Sequence, residues 1–227
     1  MTRVYDNAML LQKEINDIAA SVGCKDIHIM AVTKNQPVER IEEAKRAGFT
    51  LFGENRVQEF QSKEEYFSSR NMNVHLIGHL QSNKVKQAVG KFELIQSVDS
   101  IRIASLINQE AKRQNIIQKI LIEVNIGREQ NKYGFLIEEV DYAIHTISEM
   151  DSIRIHGLMT IPPITNKEVT RGYFKDMKCL FVDISDKKID NIYMKFLSMG
   201  MTSDYELAII EGSNMVRLGT AIFAENI

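Results

Sequence analysis

Short apolar runs alternate with amphipathic stretches along most of this 227-residue chain. The runs are rich in Val, Ile and Leu and begin near Ile27, Leu51, Val74, Leu94, Ile120, Ile153, Ile192 and Met215. Between them, apolar residues recur with helical spacing near 38–47, 56–67, 83–89, 100–114, 136–149, 167–185 and 204–211. Alternating strand and helix signals predict right-handed βαβ units and a parallel sheet.

The number of predicted strands favours a closed barrel over an open sheet. A doubly wound sheet usually has fewer strands, whereas eight parallel strands can close into a barrel. Before the first strand, residues 2–22 show apolar positions at near-helical spacing, and Gly23 can end that helix. We therefore predict an α/β fold, a single (β/α)8 TIM barrel over residues 1–227 with an extra N-terminal helix. Periodicity alone leaves an open sheet as the alternative.

Several helix starts carry capping signals. Ser203 with Glu206 matches a capping box, in which a hydroxyl and a carboxylate satisfy backbone N–H groups at the start of a helix. Asn55 with Gln58 could form a second one, and Asp99 could cap the helix that follows it.

A lysine ends the first apolar run. Residues 28–34 form a strand pattern that finishes in Lys34, and Pro37 opens the next helical pattern. In parallel barrels, sites are built at the carboxyl ends of strands. A lysine at the mouth of a dry core loses its proton more easily than one in water, and its amine can then attack a carbonyl to form a Schiff base. The alternative is an ordinary strand-end lysine with its ammonium in solvent.

The other predicted strand ends, which converge on one face of a barrel, carry mainly neutral polar groups. They are Asn55; His79, Gln81, Ser82 and Asn83; Ser97 and Asp99; Asn125; Met159 and Thr160; Ser198, Met199 and Gly200; and Arg217, Gly219 and Thr220. The set contains no Ser-His-Asp order and no obvious pair of acids. Together with Lys34, it suits imine chemistry on a phosphorylated ligand better than hydrolysis.

The last two strand ends form a candidate phosphate site. Barrels often bind phosphate between the loops after strands seven and eight, where free backbone N–H groups favour an anion. Gly200 and Gly219 would let the backbone approach closely, and Ser198 and Thr220 would add hydroxyl donors. The alternative is that these glycines serve only turns and that the hydroxyls only cap helices.

Composition and charge argue against several classes of protein. A net charge of −2 gives no electrostatic case for nucleic acid or acidic membranes, and no apolar run has the length of a membrane span. No secretory signal is visible. Cys24 and Cys179 are more consistent with reduced, half-buried thiols than with a disulfide framework, which predicts a cytoplasmic protein.

No metal centre is predicted. His75 and His79 are four residues apart on a strand, and no Cys, His or Asp cluster has the spacing of a metal site. We expect His75 to be packed and hydrogen-bonded, with a role for His79 beside the ligand as the less favoured possibility.

These motifs together resemble a known family. The matching segments are AVTKNQP at 31–37, FGENRVQE at 52–59, HLIGHLQSNK at 75–84, SVDS at 97–100, EVNIG at 123–127, HGLMTIP at 156–162, LSMGM at 197–201 and GSNMVRLGTAIF at 212–223. The sequence resembles the pyridoxal phosphate homeostasis proteins of the YggS/PROSC type, which are related to the N-terminal barrel of alanine racemase. It departs from the usual pattern at three positions. Thr202 and Ser203 stand where the family commonly has serine and an acidic or polar residue, and Ala224 stands where glycine is usual.

The resemblance implies a barrel that holds pyridoxal 5'-phosphate (PLP) as a Schiff base on Lys34. Ser198, Gly219 and Thr220, with the backbone of Met199 and Gly200, would hold the phosphate. Arg217 would face the pyridine nitrogen, and Asn55 and Met159 would line the surroundings of the ring. An arginine there discourages protonation of the pyridine, because it is itself a cation. The alternative is that Arg217 pairs with a carboxylate at the barrel rim.

Two functions from different classes follow. The first is a PLP carrier or buffer in PLP homeostasis, without catalytic turnover of its own, which supplies PLP-dependent apoenzymes and acts as a monomer. The second is a PLP-dependent amino-acid racemase, which needs a second base such as His79 or Tyr133. The racemase is less favoured because alanine racemase takes its second base from an additional domain, which this sequence is not expected to contain. A Schiff-base aldolase acting on a sugar phosphate is a third, weaker alternative.

Overall fold

The computed structural model describes residues 3–224 as a closed barrel of eight parallel strands. The strands are β1 (His28–Val32), β2 (Leu51–Glu54), β3 (Asn73–Leu76), β4 (Leu94–Val98), β5 (Gln118–Glu123), β6 (Ile153–Met159), β7 (Ile192–Ser198) and β8 (Met215–Leu218). Each strand pairs with its neighbours in chain order, and β1 also pairs with β8. The predicted (β/α)8 barrel is therefore confirmed, and the open sheet is excluded.

Helices cover the outside of the barrel. They are α1 (Arg3–Ser21), α2 (Val38–Arg46), α3 (Val57–Ser69), α4 (Val85–Ala88), α5 (Ile101–Arg113), α6 (Ile137–Ser148), α7 (Lys167–Asp186), α8 (Tyr205–Ile210) and α9 (Thr220–Phe223), with a 3-10 turn at Ser82–Lys84. The extra N-terminal helix is confirmed as α1, although its predicted first residue, Thr2, lies outside the described residues. The sequence pattern did not predict α9, because four residues are too few to show a period.

Apolar side chains fill two regions because successive residues of a strand point to opposite faces of the sheet. One face packs against the helices, where Phe52 of β2 is buried in the same core as Ile107 of α5 and Phe174 of α7. The other face fills the barrel interior with smaller clusters that include Met30, Met215 and Met159. No helix of the described residues is long and apolar enough to cross a membrane.

The capping predictions were wrong at three helix starts. Helix α8 has Asp204 at its N-cap, and the Asp204 carboxylate accepts a bond from the Met201 N–H at 2.6 Å, across the preceding loop. Helix α3 has Arg56 at its N-cap, with no side-chain cap. The residue that caps α5 is Ser100, whose hydroxyl accepts from the N–H of Ile103 at 3.3 Å, and not Asp99.

Gly157 provides a test of the barrel geometry. Its φ is +137°, and an added Cβ would lie 1.9 Å from the carbonyl oxygen of Phe196 on β7. We expect Gly157→Ala to lower the free energy of unfolding by roughly 2–4 kcal/mol, because both the backbone conformation and the contact are unfavourable. The matched control is Gly172→Ala in α7, where an added Cβ meets nothing within 4 Å and should stabilise the helix by about 0.5–1 kcal/mol. Urea denaturation measures both, and equal stability of the two variants would contradict the strand packing.

Candidate functional site

A cavity of about 750 Å³ opens at the carboxyl ends of the strands. Five predicted site residues line it: Lys34, Asn55, Arg217, Gly219 and Thr220. Lys34 lies two residues beyond β1 and is exposed, so its amine is reachable from solvent. The structure thus brings the candidate nucleophile and the loop after β8 to one space.

The other predicted site residues lie behind the cavity wall. Met159, Ser198 and Met199 are completely buried, and none of them lines the cavity. Gly200 is also buried, with a left-handed φ of +98° that turns the chain after β7. From this loop, the residues that reach the cavity are instead Met201, Thr202 and Ser203. Sequence reasoning noted Thr202 only as a departure from a family pattern, and Ser203 only as such a departure and as a capping residue, although both hydroxyls lie within three residues of Gly200.

Arg217 is held at the floor of the cavity by neutral oxygen atoms. Its guanidinium donates to the carbonyl of Ser198 at 2.8 Å, to the Ser198 hydroxyl at 2.7 Å and to the carbonyl of Thr160 at 2.8 Å. Burial lowers the pKa of Arg217 to about 10, against the attraction of Glu123 and Asp204, so the side chain remains a cation near neutral pH. The alternative of an ion pair at the rim is wrong, because these bonds go to carbonyl and hydroxyl groups.

A hydrogen-bonded chain continues from Arg217 into the barrel. The Ser198 hydroxyl donates to the side-chain carbonyl of Gln96 at 2.7 Å, and the Gln96 amide contacts His75 Nδ1 at 2.9 Å. Burial lowers the pKa of His75 to about 3, so this histidine is neutral. The prediction of a packed, hydrogen-bonded His75 is confirmed. These hydrogen bonds fix the orientation of Arg217, because the Ser198 hydroxyl that accepts from Arg217 is itself held by Gln96.

Glu123 is a site residue that sequence reasoning missed. It ends β5, lines the cavity and is only 9% exposed, and its Oε2 atom has no hydrogen-bond partner among the described residues. Burial and the charge of Asp99 raise the pKa of Glu123 to about 7, against the opposite effect of Arg217. Its position in the sequence could have identified it, because Glu123 ends the apolar run of β5 just as Lys34 ends the first apolar run.

His79, Asp99 and Tyr133 form one side of the cavity mouth. His79 Nδ1 lies 2.8 Å from an Asp99 carboxylate oxygen, and the ring of His79 stacks on Tyr133 with centroids 3.5 Å apart. Both His79 and Tyr133 line the cavity. A histidine held by a carboxylate is a common arrangement for proton transfer, so Asp99 has a partner in the site. In the part of the chain from 3 to 224, no group of three His, Cys, Asp or Glu residues could hold a metal ion.

The fold and the family model together identify the class of protein to which this chain belongs. The family model described as "Alanine racemase, N-terminal domain" matches residues 9–226, so the chain is a barrel of the alanine racemase N-terminal class. Within that class, the chain belongs to the pyridoxal phosphate homeostasis protein family. The protein of that name from Aquifex aeolicus (strain VF5) is 40% identical over 198 residues, which cover 87% of this chain and 86% of the relative. The family resemblance seen in the sequence is thereby confirmed.

Solved structures agree with this assignment. PipY of Synechococcus elongatus PCC7942, solved with PLP bound, superimposes with a TM-score of 0.80 at 31% identity, covering 92% of this chain and all (100%) of PipY. An alanine racemase of Clostridium difficile 630 has a TM-score of 0.70 at 17% identity, covering 96% of this chain and 55% of the racemase. The racemase therefore shares the fold alone.

The carboxyl of Glu123 predicts a pH-dependent stability. Because its pKa is raised from 4.5 to about 7, the folded state keeps a proton that the unfolded state loses between these values. The contribution of Glu123 to stability is therefore present below about pH 4.5 and is lost as the pH rises through about 7. We expect Glu123→Gln to remove this loss and to gain, relative to the wild type, up to about 3 kcal/mol between these limits. Denaturation of the PLP-free proteins across this range measures it, and a pH-independent difference would contradict a buried, protonated Glu123.

Proposed function

We propose that this protein binds PLP as a Schiff base on Lys34 and takes part in PLP homeostasis in the cytoplasm. The observation that carries the proposal is the single cavity that joins Lys34 to the loops after β7 and β8. PLP combines an aldehyde, which a free amine attacks, with a phosphate, which backbone amides and hydroxyls bind. The cavity offers both kinds of partner, and the relative PipY has been solved with PLP bound.

The donors around the two loops fit a phosphate group. Thr220 is the first residue of α9, so its N–H is not used within that helix. The Thr202 hydroxyl accepts a bond from the N–H of Ala221 at 3.2 Å, which ties the loops together and leaves its own hydrogen free to donate. We propose that Thr202, Ser203, Gly219 and Thr220 contact the phosphate. The predicted roles of Ser198, Met199 and Gly200 become supporting ones, because these residues lie behind the wall.

Arg217 fits the pyridine end of the cofactor. When bound, PLP supplies an electrophilic aldehyde carbon and a ring that can withdraw electrons. A guanidinium cannot accept the ring proton and repels a second positive charge nearby, so it disfavours the protonated ring that withdraws electrons best. Asn55 lines the same cavity, whereas Met159 packs inside the barrel beneath it. This environment supports storage of PLP more than chemistry on it.

The carrier function also fits the way the site is built. Lys34 and the loops after β7 and β8 belong to the same barrel and line the same cavity, and we propose that residues 1–227 act as one PLP-binding domain that works as a monomer. We propose PLP-dependent apoenzymes as the recipients of the cofactor. Cys24 and Cys179 are free thiols, which suits the reducing cytoplasm; Cys24 is half-buried as expected, whereas Cys179 is exposed.

One observation favours the racemase as a second candidate. Racemisation needs a base besides Lys34, and His79 lines the same cavity with its ring held by Asp99. The two functions differ in whether bound amino acids lose their α-proton, which a carrier has no need to remove.

The Lys34 assignment is tested by colour and by chemical trapping. Wild-type protein incubated with PLP should be yellow, and borohydride should fix the cofactor on the peptide that contains Lys34, because reduction makes a Schiff base permanent. Lys34→Ala should lose both signals. Lys91→Ala, which removes a surface lysine paired with Glu64, should keep them. A colourless wild type would contradict the proposal and point to the cofactor-free aldolase.

Proton exchange separates the carrier from the racemase. The PLP-loaded protein is incubated with single L-amino acids in heavy water, and deuterium at the α-carbon is followed by NMR. We expect no exchange approaching the usual turnover of enzymes, roughly 1–1,000 per second. Exchange at such rates that His79→Gln abolishes would overturn the carrier function in favour of the racemase.

A further inference from the structure

We propose that Lys63 is a positioning residue for Lys34: with Glu54 and Glu59 it clamps the backbone on both sides of Lys34, so that the amine projects into the cavity ready to react. The inference rests on the proposed role of Lys34 in binding PLP. None of the three clamp residues lines the cavity, so they act through the chain that carries the nucleophile.

Lys63 lies beneath the strand end with all of its donors used. Its side chain reaches from α3, and the residue is only 8% exposed. The ammonium donates to the carbonyl of Thr33 at 2.9 Å, to Glu54 at 2.9 Å and to Glu59 at 2.8 Å. A lysine has three N–H donors, so this buried ammonium is fully satisfied. Its position is therefore strongly fixed, because breaking any of these bonds would leave a buried charge short of a partner.

The clamp reaches the residues immediately before and after Lys34. On one side, the Thr33 hydroxyl donates to Glu54 at 2.6 Å, while the Thr33 carbonyl is held by Lys63. On the other side, the N–H of Asn35 donates to the same Glu59 oxygen that Lys63 contacts. Lys34 is thus the free residue between two anchored neighbours.

The chain needs such an anchor because it turns sharply at this point. Asn35 has a φ of +59°, in the left-handed region that asparagine adopts more readily than most residues other than glycine. Glu59 holds the N–H of Asn35 in that conformation, and Lys63 holds Glu59 as an i,i+4 partner on α3. The bonds from α3 therefore fix the turn that follows Lys34.

The charge balance makes Lys63 the central member of the clamp. Glu54 is completely buried, and burial raises the pKa of its carboxyl against the bonds from Thr33 and Lys63. Without Lys63, two carboxyl groups would lie close together with no cation between them. The clamp also explains the segment at 52–59, whose acidic residues Glu54 and Glu59 do not face the cavity.

The experiment compares covalent and non-covalent binding in full-length Lys63→Met, which keeps the length of the side chain but removes its donors. Schiff-base formation with PLP is followed by absorbance, and binding of pyridoxine 5'-phosphate is followed by calorimetry. Pyridoxine phosphate has an alcohol in place of the aldehyde and cannot react with Lys34. In the covalent reaction, the amine nitrogen bonds to the aldehyde carbon and water leaves.

We expect Lys63→Met to slow Schiff-base formation at least tenfold while the affinity for pyridoxine phosphate changes less than twofold, because only the amine is misplaced. Lys91→Met should match the wild type in both assays. Equal loss of both activities would mean general damage and overturn positioning, as would unchanged Schiff-base formation. If Lys63→Met fails to fold by circular dichroism, Glu59→Gln decides, since it keeps the bond to Asn35 but weakens the contact with Lys63; we then expect a smaller selective slowing, and no slowing would overturn the clamp.

The same assays separate this inference from the proposed function. A wild-type protein that forms no borohydride-reducible adduct contradicts PLP binding itself. A wild type that forms the adduct, with a Lys63→Met variant that forms it equally fast, contradicts only the clamp.

Discussion

Hydrogen bonding between the first and the last strand is the interaction on which the site depends. Strands β1 and β8 pair in parallel, with Met30 opposite Arg217 and Ala31 opposite Leu218. Because parallel strands end on the same side of a sheet, the segments that follow them leave the barrel together. Lys34 and the loop at Gly219 therefore face one cavity, although most of the chain separates them in sequence.

The buried basic and acidic side chains around the cavity differ in how well they are hydrogen-bonded. Arg217 donates to carbonyl and hydroxyl oxygens, and Lys63 donates to a carbonyl and two carboxylate groups. The carboxyl groups of Glu54 and Glu123 each keep one buried oxygen that has no hydrogen-bond partner within residues 3–224, and burial raises the pKa of both. The cations are thus rigid parts of the frame, while Glu123, with a pKa of about 7, can bind a proton near neutral pH. The proposed dianionic ligand is better tolerated in the cavity because Glu123 need not be charged beside it.

The fold was predictable because each strand and most helices show their own period, and eight strands in parallel have one common way to close. Lys34, Asn55, Arg217, Gly219 and Thr220 could be predicted to line the cavity for the same reason, since they lie at or just beyond strand ends. The inward or outward direction of a side chain at or beyond a strand end depends on the local backbone geometry, which periodicity does not record. This is why Ser198 was expected in the cavity but lies behind it, and why Thr202 and Glu123 were missed. The clamp on Lys34 depends on contacts from α3 to the loop after β1 and to β2, which no local pattern specifies.

The pairing of β1 with β8 also determines when, during synthesis of the chain, the proposed ligand site is first complete. Ribosomes add roughly 5–20 residues per second, so the segment with Lys34 is made well before the segment with Arg217. Until β8 is in place, the nucleophile exists without the loops that would hold an anion beside it. A growing chain is therefore a poor trap for a reactive aldehyde. If Lys34 captures PLP as proposed, the complete site arises only once the ring of strands has closed, and cofactor loading is then a late step in biosynthesis.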